Sequence, residues 1–123
     1  YFNKRNFLFS KFEQGIAIDV ESWYSVIPEP VSLFLRERFT KSKKIRKIFE
    51  PFCGVGGIAV HLCDSFEEYV VNDIDTSKIH MLRHNLKVYG KSPQKVKYIN
   101  QDFLQVEPFQ TDAIIICPPW GGV

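Results

Sequence analysis

A chain of 123 residues, 45% hydrophobic and 24% charged, has room for one ordinary soluble domain with its own core, and its 18 aromatic residues (11 Phe, 5 Tyr, 2 Trp) exclude a disordered chain. A net charge of +2 gives no bulk electrostatic argument for nucleic acid, and no apolar stretch is long enough to span a membrane. Three cysteines, Cys53, Cys63 and Cys117, are an odd number without CxxC spacing, so neither a disulfide framework nor a zinc site is expected; no signal peptide is read, and the setting expected is reduced and intracellular.

Residues 1–26 are dense in aromatic side chains (YFNKRNFLFSKF, then WYSV) without a clean period, which predicts a short, partly helical extension packed on a main domain. A helix is predicted over residues 29–39. Pro28 and Pro30 stand where missing amide donors cost little, and Val31, Phe34, Leu35 and Phe39 repeat at helical spacing. The extension is thus assigned to residues 1–40 and the main domain to residues 41–123. KSKKIRK (residues 41–47) reads as a solvated basic loop, with phosphate contact as its alternative.

The rhythm then changes. KIFE (residues 47–50) predicts a first strand, PFCGVGG a turn, and IAVHLCDSF (residues 58–66) a helix. EYVVND (residues 68–73) predicts a second strand, and TSKIHMLRHNLKVYG a helix capped by Asp75 or Thr76 and stopped by Gly90. KVKYI (residues 95–99) predicts a third strand. AIIIC (residues 113–117), apolar throughout, predicts a fourth that is buried on both faces. This alternation predicts a parallel, doubly wound α/β sheet of Rossmann-like type. Such a domain usually has more than four strands, so the sequence is expected to be an incomplete one.

The chemistry-bearing residues gather at the predicted strand ends. Glu50 closes the first strand, and Gly54, Gly56 and Gly57 make the turn into a helix, where bare backbone and free amides suit a ligand. Asp73 and Asp75 follow about twenty residues on, the spacing of a carboxylate that accepts ribose hydroxyls. Asp75 suits an N-cap, so Asp73 is the ribose candidate. Asp102, beyond the third strand, is placed to accept from an adenine amino group. The fourth strand ends in Cys117-Pro118-Pro119-Trp120, a Pro-Pro-aromatic exit that is the signature of S-adenosylmethionine-dependent methylation of an exocyclic amine. Prolines lack amide hydrogens and fix φ, so their carbonyls are rigid and unshared acceptors, and an aromatic ring stacks on the base.

These residues resemble the trimethylguanosine synthases, RNA cap guanine-N2 methyltransferases. The resemblance is carried in order by LFSKFEQGI (residues 8–16), ESWYSVIPE (21–29), FCGVGG (52–57), NDID (72–75), KVYG (87–90), QDF (101–103) and CPPWGG (117–122). It implies a class I S-adenosylmethionine-dependent methyltransferase fold with a small N-terminal helical subdomain closing over the cofactor, with Phe9, Phe12 and Trp23 as candidates for packing there. It implies a cofactor site of Glu50, Phe52, Gly54, Gly56, Asp73, Asp102 and Phe103, and a catalytic edge of Cys117, Pro118 and Trp120. Trp120 matches the ring that stacks on the methylated guanine. Asn85 matches a position near that base, and Ser25 one near both pockets. The implied substrate is the 7-methylguanosine cap of small nuclear and nucleolar RNA, handled by a monomer in the nucleus without membrane.

Four positions depart from the family pattern. Glu50 replaces an aspartate, Ile58 a polar residue, Ile27 a threonine, and Cys117 the serine before the prolines. A thiol accepts hydrogen bonds weakly. A tRNA or rRNA guanine-N2 methyltransferase, and a cap-binding module without methyl transfer, stay open as other readings. His80 and His84 are four apart on one helix, as in some metal pairs, but no third ligand follows at suitable spacing. These two, with His61, read as a partly exposed helix surface with no metal.

Overall fold

The computed structural model describes residues 2–120. Four parallel strands form one sheet in the order β3-β2-β1-β4, where β1 is Lys47–Glu50, β2 Glu68–Asn72, β3 Val96–Ile99 and β4 Ala113–Ile114. Among the described residues, three α-helices precede the sheet, α1 (Arg5–Leu8), α2 (Ser22–Ser25) and α3 (Glu29–Thr40); α4 (Ala59–Leu62) joins β1 to β2, and α5 (Thr76–Val88) joins β2 to β3. This is the parallel, doubly wound α/β sheet of Rossmann-like type that the alternation of elements predicts. In register, Ile48 lies beside Tyr69 and Ala113, and Phe49 beside Val70 and Ile114. The central strands β1 and β2 are buried on both faces from Ile48 to Glu50 and from Tyr69 to Asn72, as their apolar runs require.

Helix α5 begins as expected. Asp75 Oδ1 accepts from Ser77 N at 2.9 Å, which satisfies one free amide of the first turn. Gly90 follows its end with φ +71°, a conformation that favours glycine. Helix α4 is shorter than the predicted span of residues 58–66. After Leu62 the chain leaves through a turn closed by Ser65 N donating to Leu62 O, where Asp64 and Ser65 favour turns over helix.

The N-terminal segment shares the core. Leu8, Phe9 and Ile16 belong to the same buried cluster as Ile48, Val71, Leu82 and Leu86, while Phe12 and Trp23 pack on it with ring centroids 5.3 Å apart. In α3, the helical apolar repeat does not mark the buried face. Val31 and Phe34 are exposed, Leu35 and Phe39 are half-buried, and Ser32 is fully buried, its Oγ donating to Gly57 O at 2.9 Å.

Two further expectations are corrected. The fourth strand is not buried on both faces: Ile115 is buried, but Ile114 and Ile116 are 49% and 57% exposed, since no element among the described residues covers that side. Its regular pairing stops at Ile114, with one more bond from Ile115 N to Phe49 O. The basic loop lies at the amino end of β1, across the sheet from the strand ends that carry the candidate site. There Lys41 pairs with Glu37, Arg46 with Glu67 and Lys47 with Glu68, a solvated and locally paired loop. The cap-phosphate contact considered for it does not fit this position.

Asn85 ties three pieces together from within α5. It is fully buried, its Oδ1 accepts from Ala17 N at 2.8 Å, and its Nδ2 donates to Ala17 O at 2.8 Å and Val55 O at 2.9 Å. Asn85→Ala leaves these backbone groups without partners and should lower unfolding free energy in urea by about 2–4 kcal/mol. Asn85→Asp should be no better, because a carboxylate cannot donate to two carbonyls.

Candidate functional site

At the carboxyl ends of the four strands the chain opens into a cleft of about 1060 Å³. Each strand end contributes to its lining: Glu50 and Phe52 to Val55 at the end of β1, Asn72 to Asp75 at the end of β2, Gln101 to Phe103 after β3, and Cys117 to Trp120 after β4, with residues 20–22 and 24–27 of the N-terminal segment forming a further lip. Parallel α/β sheets bind ligands at this edge.

The strand ends are fixed to one another by Asn72. Its Nδ2 donates to Pro51 O at 3.1 Å and Gln101 O at 3.0 Å, and its Oδ1 accepts from Gln101 N at 3.0 Å. The loops after β1, β2 and β3 are thus joined through one buried amide. The adjacent Asp73 is anchored as well: Oδ2 accepts from Gly54 N and Oδ1 from Asp75 N, both at 3.0 Å. Each oxygen keeps lone-pair capacity toward the cleft. Asp102 lies on the same wall, with Oδ1 accepting from Leu104 N at 3.0 Å.

The glycine turn divides into distinct roles. Gly54 has φ +54° and nothing within 4 Å of where a Cβ would stand, so it presents bare backbone to the cleft. Gly56 is not among the residues that line the cleft. A Cβ there would stand 3.0 Å from Leu82 Cγ, so this glycine lets the turn pack on α5. At Gly57 a Cβ would meet Val26 Cγ2 at 2.4 Å and Ile27 O at 3.0 Å. That glycine lets the N-terminal lip close against the turn.

Apolar surfaces complete the wall. Phe52 and Phe103 lie 5.3 Å apart, and Ile74, 69% exposed, projects beside Asp73. Bare backbone at Gly54, an anchored carboxylate at Asp73 and flat or branched apolar faces at Phe52, Phe103 and Ile74 match the parts of S-adenosylmethionine: a zwitterionic tail, a ribose diol and a purine. The residues present fit that cofactor.

Glu50 is 1% exposed, and Tyr69 Oη donates to its Oε2 at 2.7 Å. Burial, with a smaller contribution from the Asp73 charge, pushes its carboxyl up to about 8 against the lowering effect of the Tyr69 hydrogen bond. Cys117 is half-buried, and burial, then the charge of Glu50, raises its thiol, so it stays protonated at neutral pH. Trp120 is 61% exposed on the cleft wall beside Pro118 and Pro119. Ser25 lines the cleft from the N-terminal lip, its Oγ donating to Glu21 O at 3.1 Å.

The structure therefore gathers Glu50, Phe52, Gly54, Asp73, Asp102, Phe103, Ser25, Cys117, Pro118 and Trp120 around one cleft. It does not bring Asn85 there. With both amide atoms engaged below the glycine turn, Asn85 supports the site and has no free group for a base. His61 is not on an exposed surface either: it is buried 3.3 Å from the Glu29 carboxylate and edge-on to Tyr89, and burial lowers its pKa. His84 Nε2 lies 2.6 Å from Gly15 O, and His80 is exposed. Sequence reasoning passed over Asn72, Ile74, Lys78 and Tyr69. The first two stand inside the NDID motif and were signalled by it. Lys78, buried with Nζ 3.1 Å from Glu21 and 3.9 Å from Asp19, carried no local signal.

The sequence profile of the RNA cap guanine-N2 methyltransferases matches residues 45–123. The chain belongs to the RNA cap guanine-N2 methyltransferase family. It is 34% identical over 128 aligned residues to the trimethylguanosine synthase of Schizosaccharomyces pombe, covering 99% of this chain and 53% of that protein. It is 28% identical to the trimethylguanosine synthase of Saccharomyces cerevisiae, covering 99% of this chain and 41% of that one. The chain thus spans about half the length of these relatives. The fold is shared with an RNA methyltransferase from Salinibacter ruber solved with S-adenosyl-L-homocysteine (TM-score 0.57, 18% identity, 73% of this chain and 58% of that one). Within the cap methyltransferase family profile lie the glycine turn, Asp73, Asp102 and the Cys-Pro-Pro-Trp exit.

Glu50 gives a pH signature of folding. Its ordinary value is 4.5 and its folded value about 8, so between these the folded protein holds a proton that the unfolded chain has released. This contribution to stability is full below about pH 4.5, falls as pH rises to about 8, and is level above. Melting curves from pH 5 to 8.5 should show Glu50→Gln gaining stability relative to wild type as pH rises. A constant difference across that range would contradict the buried, protonated carboxyl.

Proposed function

We propose that this protein methylates the exocyclic 2-amino group of the 7-methylguanosine cap of small nuclear and nucleolar RNA, with S-adenosylmethionine as donor. The observation that carries the reading is the placement of Cys117-Pro118-Pro119-Trp120 on the wall of the same cleft as Gly54 and Asp73. Similarity to trimethylguanosine synthases over 99% of the chain supports the cap as substrate. A monomer acting in the nucleus belongs to the same proposal.

The cofactor, when bound, supplies an electrophilic methyl group on a positively charged sulfur. The chain's residues hold and align the two reactants. Asp73, with two amides fixing its carboxylate, would accept from ribose hydroxyls, and Phe52, Ile74, Phe103 and Asp102 would hold the purine. The target amine is a poor nucleophile because its lone pair is delocalised into the guanine ring. Backbone carbonyls of Cys117 and Pro118 accept from its N–H groups and favour a pyramidal nitrogen. Pro118 and Pro119 have no amide hydrogen to compete, and their fixed φ keeps the carbonyls in place. The Cys117 thiol accepts weakly, so the carbonyls carry more of this task than they would beside a serine. Trp120 offers an open indole face to the base, and N7-methylation makes that base cationic, which strengthens the stacking. Ser25 faces both reactants from the lip. Catalysis is mainly alignment, with little acid–base work.

Trp120→Ala should weaken binding of 7-methyl-GTP at least about tenfold, the worth of one cation–π and stacking contact, and leave S-adenosylmethionine affinity within about twofold, both read by calorimetry. Equal loss of the two affinities would make Trp120 a structural residue and contradict its assignment to the cap.

A further inference from the structure

Glu50 ends β1 on the wall of the cleft, yet its carboxyl meets no cation: no ion pair of the described residues includes it. Its hydrogen-bond donor is a neutral phenol, Tyr69 Oη at 2.7 Å. The other titratable groups that face it are Asp73 after β2, whose charge opposes its ionisation, the buried Cys53 thiol after β1, and the half-buried Cys117 thiol after β4. Lys78 of α5 lines the same cleft, but its ammonium is held by Glu21 at 3.1 Å and Asp19 at 3.9 Å. A carboxyl buried in this company has nothing to stabilise its charge and keeps its proton. A net positive charge brought into the cleft reverses that balance, because opposite charges attract strongly where water is excluded; the ammonium and carboxylate of the amino-acid tail, carried by donor and product alike, balance each other, and the sulfonium is the unbalanced charge.

We propose that Glu50 discriminates ligands by charge: its carboxyl is protonated in the free protein, gives up that proton when a ligand with a positively charged sulfur enters the cleft, and keeps it when the ligand's sulfur is neutral. The inference rests on the proposed cofactor and adds to it. Donor and demethylated product differ in the cleft by one positive charge, and Glu50 answers that difference with a proton. The neutral product then leaves no unpaired buried carboxylate behind. Preference for the donor over the product therefore rises with pH, up to the pH at which the free protein's own carboxyl ionises, about 8.

The test is calorimetric titration of the protein with S-adenosylmethionine and, separately, S-adenosylhomocysteine, in two buffers of different ionisation enthalpy, from pH 6 to 7.5. The two ligands share their other titratable groups, and Glu50→Gln, which removes the carboxyl alone, separates its proton from that of the α-ammonium, which the sulfonium makes more acidic in the donor. The expected result is close to one more proton released with S-adenosylmethionine than with S-adenosylhomocysteine. The ratio of their affinities should rise by up to about tenfold per pH unit, and Glu50→Gln should abolish both effects. Equal proton release with the two ligands, or a flat affinity ratio in the wild-type protein, would overturn the proposal without use of the variant. Binding of neither ligand would overturn the cofactor reading itself, and is distinguishable from binding without proton exchange.

Discussion

The amide of Asn72 holds the ligand edge of this fold in place. Parallel strands that stop at a common edge leave backbone groups without ladder partners, and a buried group left so costs about as much as a lost hydrogen bond. Asn72 answers this for three strands at once, donating to Pro51 O and Gln101 O and accepting from Gln101 N. Because those loops are fixed, the next residue, Asp73, can be held between Gly54 N and Asp75 N. The cofactor half of the cleft follows from that one buried side chain.

The N-terminal lip of the cleft depends on how closely that segment approaches the glycine turn. Gly57 has no side chain to keep Val26 and Ile27 away, Ser32 bonds its carbonyl, and Asn85 joins Ala17 to Val55. Lys78 draws Asp19 and Glu21 toward the start of α5. Together these contacts set the lip that brings Ser25 to the same cleft as Trp120. Asn85 thus matters to the site through position alone, since neither of its amide atoms is left for a ligand.

Much of this arrangement was legible in the sequence where local chemistry dictates geometry. Glycines after a short apolar run, an acid about twenty residues later and two prolines before a tryptophan each constrain the backbone where they stand. The structure puts them around one cleft. What could not be read was packing across the chain. Asn85 resembles a ligand contact in sequence because nothing local reveals that Ala17 and Val55 reach it. Gly56 looks like its neighbour Gly54, but only Leu82, 26 residues on, shows that it serves packing. Val31 and Phe34 repeat with Leu35 and Phe39, yet a serine is the residue that α3 buries deepest. The basic loop could be placed only once β1 showed which end of the sheet it occupies.

In the proposed function, a cleft suited to an adenosine cofactor presents a Pro-Pro-Trp edge to an N7-methylated guanine. The most direct measurement supplies radiolabelled S-adenosylmethionine to the protein with 7-methyl-GTP in one reaction and GTP in another, and follows transfer of label to the nucleotide. The account predicts label in 7-methyl-GTP alone. Equal label in both, or none in either while the cofactor binds, would contradict it.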